Sequence, residues 1–199
     1  MKKLGILFTA SLIFAFVGCN NSNKDANSTD KLNESVEIET TIEQDEKEAP
    51  KTISVLMESK SNSTAQGEVY FSESNGVVKL EAKFKGLKPG VHAIHIHEKA
   101  DCSAPDGSSA GGHWNPTHEK HGKWGDAEGY HKGDIGNLEA DNDGNASITM
   151  ETDQWCIGCG DDNKDILGKS VIVHEGADDF VSQPTGDAGG RVACGGVIK

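Results

Sequence analysis

With 199 residues the chain has room for one ordinary domain plus appendages. Its 32 acidic against 19 basic residues leave a formal net charge of −13, which excludes the dense positive surface that a nucleic-acid partner requires. Five cysteines and eight histidines direct attention instead to cross-links and metal ligands.

Residues 1–19 begin with Lys2 and Lys3 and continue as an apolar run from Leu4 to Val17. That is the form of a secretory signal peptide, and the run is short for a membrane span. It ends in Phe16-Val17-Gly18-Cys19, which resembles a bacterial lipobox with Phe16 in place of the usual Leu. The expectation is that Cys19 is lipidated and becomes the mature N-terminus, so that the protein is a membrane-anchored bacterial lipoprotein on the periplasmic side or the cell surface. The alternative is an ordinary secretory signal with an incidental cysteine. Residues 20–50 are polar, with nine acids against Lys24, Lys31 and Lys47 and almost no bulky apolar groups, which predicts a disordered acidic linker. As a flexible coil it would span roughly 30 Å.

From Lys51 the pattern changes, and residues 51–199 read as the folded domain. Ile53, Val55 and Met57 alternate with Thr52, Ser54 and Leu56, and Gly67 to Phe84 reads as a hairpin turning at Ser74-Asn75-Gly76. Further turns are predicted at Leu87-Lys88-Pro89-Gly90 and at Asp141-Asn142-Asp143-Gly144, with strands at Ile148 to Met150, Val171 to His174 and Arg191 to Val197. No stretch carries a helical apolar period. Short strands with Gly-rich turns imply an all-β sandwich or barrel.

Between Val91 and Asp134 lie His92, His95, His97, His113, His118, His121 and His131, seven of the eight histidines; His174 follows later. In Val91-His92-Ala93-Ile94-His95-Ile96-His97 the strand period puts His95 and His97 on one face, with His92, Ile94 and Ile96 on the other. Two imidazoles on one strand face suit copper, zinc, iron or nickel. The segment from Cys102 to Gly133 loses strand period, and within or just beyond it His113, His121, His131 and Asp134 offer three imidazoles and a carboxylate, a donor set that fits tetrahedral zinc. A bound metal would also explain how so long a loop is ordered.

The segments HAIHIHE, GGHWNPTHEKH, HKGDIGNLEADNDG, VIVHEGADD and GGRVACGGVI resemble, in order, the signature blocks of copper-zinc superoxide dismutases. The resemblance covers roughly residues 51–199 and implies an eight-stranded Greek-key β-barrel with two long loops over the metals. It implies His95, His97, His113 and His174 as copper ligands, and His113, His121, His131 and Asp134 as zinc ligands, with one copper and one zinc per subunit and His113 shared. It further implies that Asp178 links a copper ligand to a zinc ligand, that Arg191 stands beside the copper, and that Cys102 and Cys194 form a disulfide. The implied activity is disproportionation of superoxide to dioxygen and hydrogen peroxide by cycling copper, with His113 and Arg191 in the catalytic roles. A non-catalytic extracytoplasmic copper/zinc-binding protein on the same fold is the alternative. Monomer and homodimer are both left open.

Three features stand beside that pattern. His92 is expected to be a packed, hydrogen-bonded residue, and His118 an exposed one. Trp155-Cys156-Ile157-Gly158-Cys159 is an addition to it. A local disulfide between Cys156 and Cys159 is expected to staple a loop, a copper-acquiring or redox role being the sharper alternative. The stretch before Arg191, from Asp179 to Gly190, contains no Lys or Arg, so Arg191 is the one matched cation at the copper unless Lys123 or Lys132 folds over it.

Overall fold

Alternation decides the first half of the domain. In Lys51–Ser59 (β1) the side chains of Ile53, Val55 and Met57 are buried while Leu56 is 74% exposed, one face to a core and one to water. Gln66–Ser74 (β2) and Val77–Lys85 (β3) repeat the period, burying Val69 and Phe71 and then Val78, Leu80, Ala82 and Phe84. Between them Asn75 and Gly76 take φ values of 53° and 75°, the backbone of a tight hairpin turn whose twist matches that of the strands. These are features of a computed structural model that describes residues 49–199. The expected signal peptide, Cys19 and the linker up to residue 48 lie outside the described residues.

The remaining strands are Gly90–His97 (β4), Gly136–Ala140 (β5), Ala146–Thr152 (β6), Ser170–His174 (β7) and Arg191–Gly196 (β8). All neighbours are antiparallel and follow the order β5-β4-β7-β8-β1-β2-β3-β6. The end strands β5 and β6 are consecutive in sequence and pack side by side across the turn at Asp141, whose N–H donates to the Asn145 carbonyl at 2.9 Å. The sheet is therefore a nearly closed barrel. Strands β4, β5 and β6 run in succession and β7 returns to the other side of β4, which makes the connection a Greek key. The all-β, eight-stranded fold expected from the sequence is the one adopted. Among the described residues no helix is long and apolar enough to cross a membrane.

β4 is the strand that positions the site. Ile94 and Ile96 join the barrel core, whereas His95 and His97 point outward and are nevertheless fully buried. Their cover comes from the segments 98–135 and 175–190. Cys102 in the first of these is bonded to Cys194 in β8, with Cα atoms 5.8 Å apart and a sequence separation of 92. Closing so long a loop stabilises the fold by about 4–5 kcal/mol on the chain-entropy account. Trp155 packs edge-on to Phe71 in the core, and its indole N–H donates to the Lys132 carbonyl at 2.8 Å, which fixes the covering loop from its other side.

Candidate metal centre

The long loop is ordered because its backbone threads along β4. The Ile96 N–H donates to the Gly133 carbonyl at 2.8 Å, the Trp114 N–H to the Ile96 carbonyl at 2.8 Å, and the Gly133 N–H to the Trp114 carbonyl at 3.0 Å. A Cβ on Gly133 would come within 2.2 Å of the Ile96 carbonyl oxygen, so only glycine permits this approach. The threading sets His113 beside His97 and brings His131 and Asp134 under the same face. On the far side β7 ends in a register shift between Val173 and His174, and such an irregularity re-aims a side chain.

The result is two sets of converging donors. His95, His97, His113 and His174 offer nitrogens that lie within 4.8 Å of one another; so do the donors of His113, His121, His131 and Asp134. His113 belongs to both. Its Nδ1 lies 2.9 Å from Asp134 Oδ1, and its Nε2 is buried without a hydrogen-bond partner. His95 Nδ1, His121 Nδ1 and His131 Nδ1 are likewise buried and unpaired. His121 Nδ1 and His131 Nδ1 stand 3.0 and 3.3 Å from Asp134 carboxylate oxygens, but without hydrogen-bond alignment. A buried polar atom left unsatisfied costs about 1–3 kcal/mol, so four of them facing one region are not explained by packing. Imidazole nitrogens and a carboxylate oxygen are the donors a copper or zinc ion takes. The residues fit such ions.

Opposite nitrogens of these rings are held by fixed acceptors. His97 Nδ1 donates to the Gly111 carbonyl at 3.0 Å and His174 Nδ1 faces the Gly189 carbonyl at 3.3 Å, leaving their Nε2 atoms turned toward each other at 3.3 Å. His95 Nε2 and His121 Nε2 both donate to Asp178, each at 2.8 Å and each to its own oxygen. Asp178 therefore ties a ring of one set to a ring of the other. Partners of this kind fix ring orientation and tautomer.

Several residues of the site carried no signal in the sequence reading. Asn137 clamps the Asp178 backbone with two hydrogen bonds, at 2.8 and 2.9 Å, and the Gln183 amide pairs with the His121 backbone at 2.9 and 2.8 Å. Gly186 lies against the Asp178–His121 pair, where a Cβ would meet Asp178 Oδ1 at 2.0 Å. Arg191 Nη1 and Nη2 donate to the carbonyls of Gly107 and Gly111 at 2.6 and 2.7 Å, so the guanidinium and His97 share the Gly111 oxygen. Lys132 is not the second cation there; its ammonium bonds Gln154 beside Tyr130, and Lys123 is exposed. The stem of Lys60 instead packs across Gly107 from Arg191: a Cβ on Gly107 would lie 3.4 Å from Arg191 Cδ and 3.6 Å from Lys60 Cγ. His92 is buried with its ring nitrogens 2.8 Å from the His174 and Lys88 carbonyls, and His118 is exposed. Cys156 and Cys159 are bonded to each other.

Burial and neighbouring charge push the rings apart in basicity. Burial, reinforced by the field of His95, lowers His113 to about 4 and His174 to about 3. His121 goes the other way: burial opposes its charge, but the neighbouring Asp134 and Asp178 carboxylates outweigh it and raise the ring to about 9. Burial also works against ionised Asp134, yet the three surrounding imidazoles hold its carboxyl well below the usual range.

Two outcomes follow from these contacts. Asp178→Asn replaces an acceptor oxygen by a donor and so loses one of the two ring bonds; metal affinity measured by competition with a chelator should fall roughly 10- to 100-fold. At pH 7 metal-free His121 carries a proton that a ligand must surrender, so filling its set should release roughly one proton per ion from that ring, fading as pH rises past 9. Titration calorimetry in buffers of different ionisation enthalpy measures this; no buffer dependence at pH 7 would count against it.

Comparison with known proteins agrees with this geometry. The family model for copper/zinc superoxide dismutase matches residues 65–198. The chain is 37% identical over 132 residues to "Superoxide dismutase [Cu-Zn] 2" of Aquifex aeolicus, covering 65% of this chain and 77% of the relative. It is 36% identical over 143 residues to the copper chaperone for superoxide dismutase of Rattus norvegicus, covering 68% of this chain and 49% of that one. Among solved structures, a double mutant of a SOD-like protein from Bacillus subtilis superposes with a TM-score of 0.65 at 33% identity, over 73% of this chain and 97% of that one. The chain belongs to the copper/zinc superoxide dismutase family.

Proposed function

We propose that the protein is a superoxide dismutase, converting superoxide to dioxygen and hydrogen peroxide. The observation that carries this reading is the double membership of His113, with Nε2 turned toward one donor set and Nδ1 toward the other. His95, His97, His113 and His174, nitrogen donors throughout, would hold one copper; His113, His121, His131 and Asp134 would hold one zinc. Copper supplies one-electron chemistry between two oxidation states, and zinc a fixed positive charge. His113 would take a proton at Nε2 in one half of the cycle and return it in the other. Arg191 would dock the anion: two of its N–H groups are committed to Gly107 and Gly111, which fixes the guanidinium while leaving its other donors for substrate. That charge has to act at close range, because the chain as a whole carries −13.

The runner-up is a metal-binding protein without turnover, and the similarity to a copper chaperone supports keeping it. Dismutase activity of the copper- and zinc-loaded protein separates the two. With activity present, His113→Ala should abolish it and also cost zinc retention, whereas His97→Ala should remove mainly copper. Full zinc occupancy and an unchanged rate in His113→Ala would exclude the sharing of that ring.

Arg191→Ala should lower catalytic efficiency about tenfold at unchanged metal content, and Arg191→Glu should lower it further. Wild-type activity in Arg191→Glu would remove the arginine from the scheme. For location, we infer a lipid anchor at Cys19 on the extracytoplasmic side of a bacterial membrane, on the strength of the signal-like residues 1–19. Labelled fatty acid should be incorporated into the wild type, and Cys19→Ser should abolish that labelling and release the protein from the membrane fraction.

A further inference from the structure

We propose that the Cys156–Cys159 pair is a thiol–disulfide exchange site, open to the dithiol of a protein or small molecule. The two sulfurs differ in access: Cys159 is exposed and Cys156 is buried. A partner therefore reaches Cys159, and Cys156 is the group that leaves.

The loop does not depend on the bond for its shape. Cys156 donates its N–H to the Lys164 carbonyl at 2.8 Å and accepts at its own carbonyl from the Ile166 N–H at 3.1 Å. The Asp165 carboxylate accepts from the N–H groups of Gly158, Gly160 and Leu167 at 2.9, 2.9 and 3.0 Å. Trp155 and Ile157 on either side of Cys156 are buried in the barrel core, and the Ile157 N–H donates to Glu73 at 2.7 Å. A segment held in so many other ways gains little from a staple.

Access separates the two links. Cys159 is exposed, whereas Cys194 is fully buried and Cys102 only partly exposed, so an incoming thiolate meets the Cys156–Cys159 bond first.

The exchange balances with a dithiol as the reductant. A partner thiolate attacks Cys159 Sγ, the sulfur–sulfur bond breaks, and Cys156 Sγ leaves and takes a proton. The partner's second thiol then attacks the partner sulfur in the mixed disulfide, releasing Cys159 as a thiol. Two electrons and two protons have passed from the dithiol to the cysteine pair, and the partner is left as a disulfide.

The test equilibrates the full chain with dithiothreitol at a series of reduced-to-oxidised ratios, alkylates free thiols and locates them by peptide mapping. Cys156–Cys159 should open at ratios that leave Cys102–Cys194 bonded, with the far-ultraviolet circular dichroism unchanged. A thioredoxin-type probe lacking its resolving cysteine should be trapped as a mixed disulfide on Cys159. Opening of both bonds together, loss of the fold when Cys156–Cys159 opens, or failure to trap the probe on Cys159 would overturn the proposal.

Discussion

An imidazole has two nitrogens, and the centre is built on holding one so that the other has a single direction in which to point. Asp178 does this for two rings at once. Its oxygens take the Nε2 protons of His95 and His121, which come from β4 and from a loop position 26 residues later. Because the carboxylate is rigid and its backbone is clamped by Asn137, a displacement of either ring is felt by the other. The two donor sets are thereby one mechanical unit, joined through His113 on one side and Asp178 on the other.

The barrel supplies the precision this requires. A ring on a free loop would sample many orientations; a ring on a strand whose opposite face is packed into the core cannot. Ile94 and Ile96 lock β4 from inside, so His95 and His97 emerge with little remaining freedom. The ligands contributed by loops are constrained differently, by backbone hydrogen bonds to β4 and by the Cys102–Cys194 link. Gly133 and Gly186 mark where covering backbone approaches so closely that a side chain would prevent closure. Metal sites made this way bury charge, which is tolerable because Asp134 and Asp178 are each surrounded by N–H donors and imidazoles.

Electrostatics adds a further condition. A chain of net charge −13 repels an anion at long range, so a catalytic reading needs cations that are close and held in place. Arg191 meets this through two short bonds to loop carbonyls, whereas the ammonium of nearby Lys60 is paired with Glu58 at 3.8 Å. The same Gly111 carbonyl orients His97, which couples the position of the arginine to that of a proposed copper ligand.

The amino-acid sequence by itself determined what depends on near neighbours. Period-two alternation gave the inward faces of β1 and β4, Asn75-Gly76 gave the hairpin between β2 and β3, and the same period placed His95 and His97 together. That His113 and His174 complete the set begun by His95 and His97, and that His113 is shared, came from family resemblance rather than from spacing, because these residues are joined only through space. Asn137, Gln183, Gly186 and Lys60 were not legible at all. Asn137 and Gln183 act on residues 41 and 62 positions away, and Gly186 and Lys60 matter only for what packs against them in space, so nothing in their own neighbourhood distinguishes them from ordinary turn or surface residues. Local pattern records which face a side chain takes; tertiary structure alone decides which nitrogen of a ring is held and which is left to a ligand, since that choice rests on acceptors brought in from other parts of the chain.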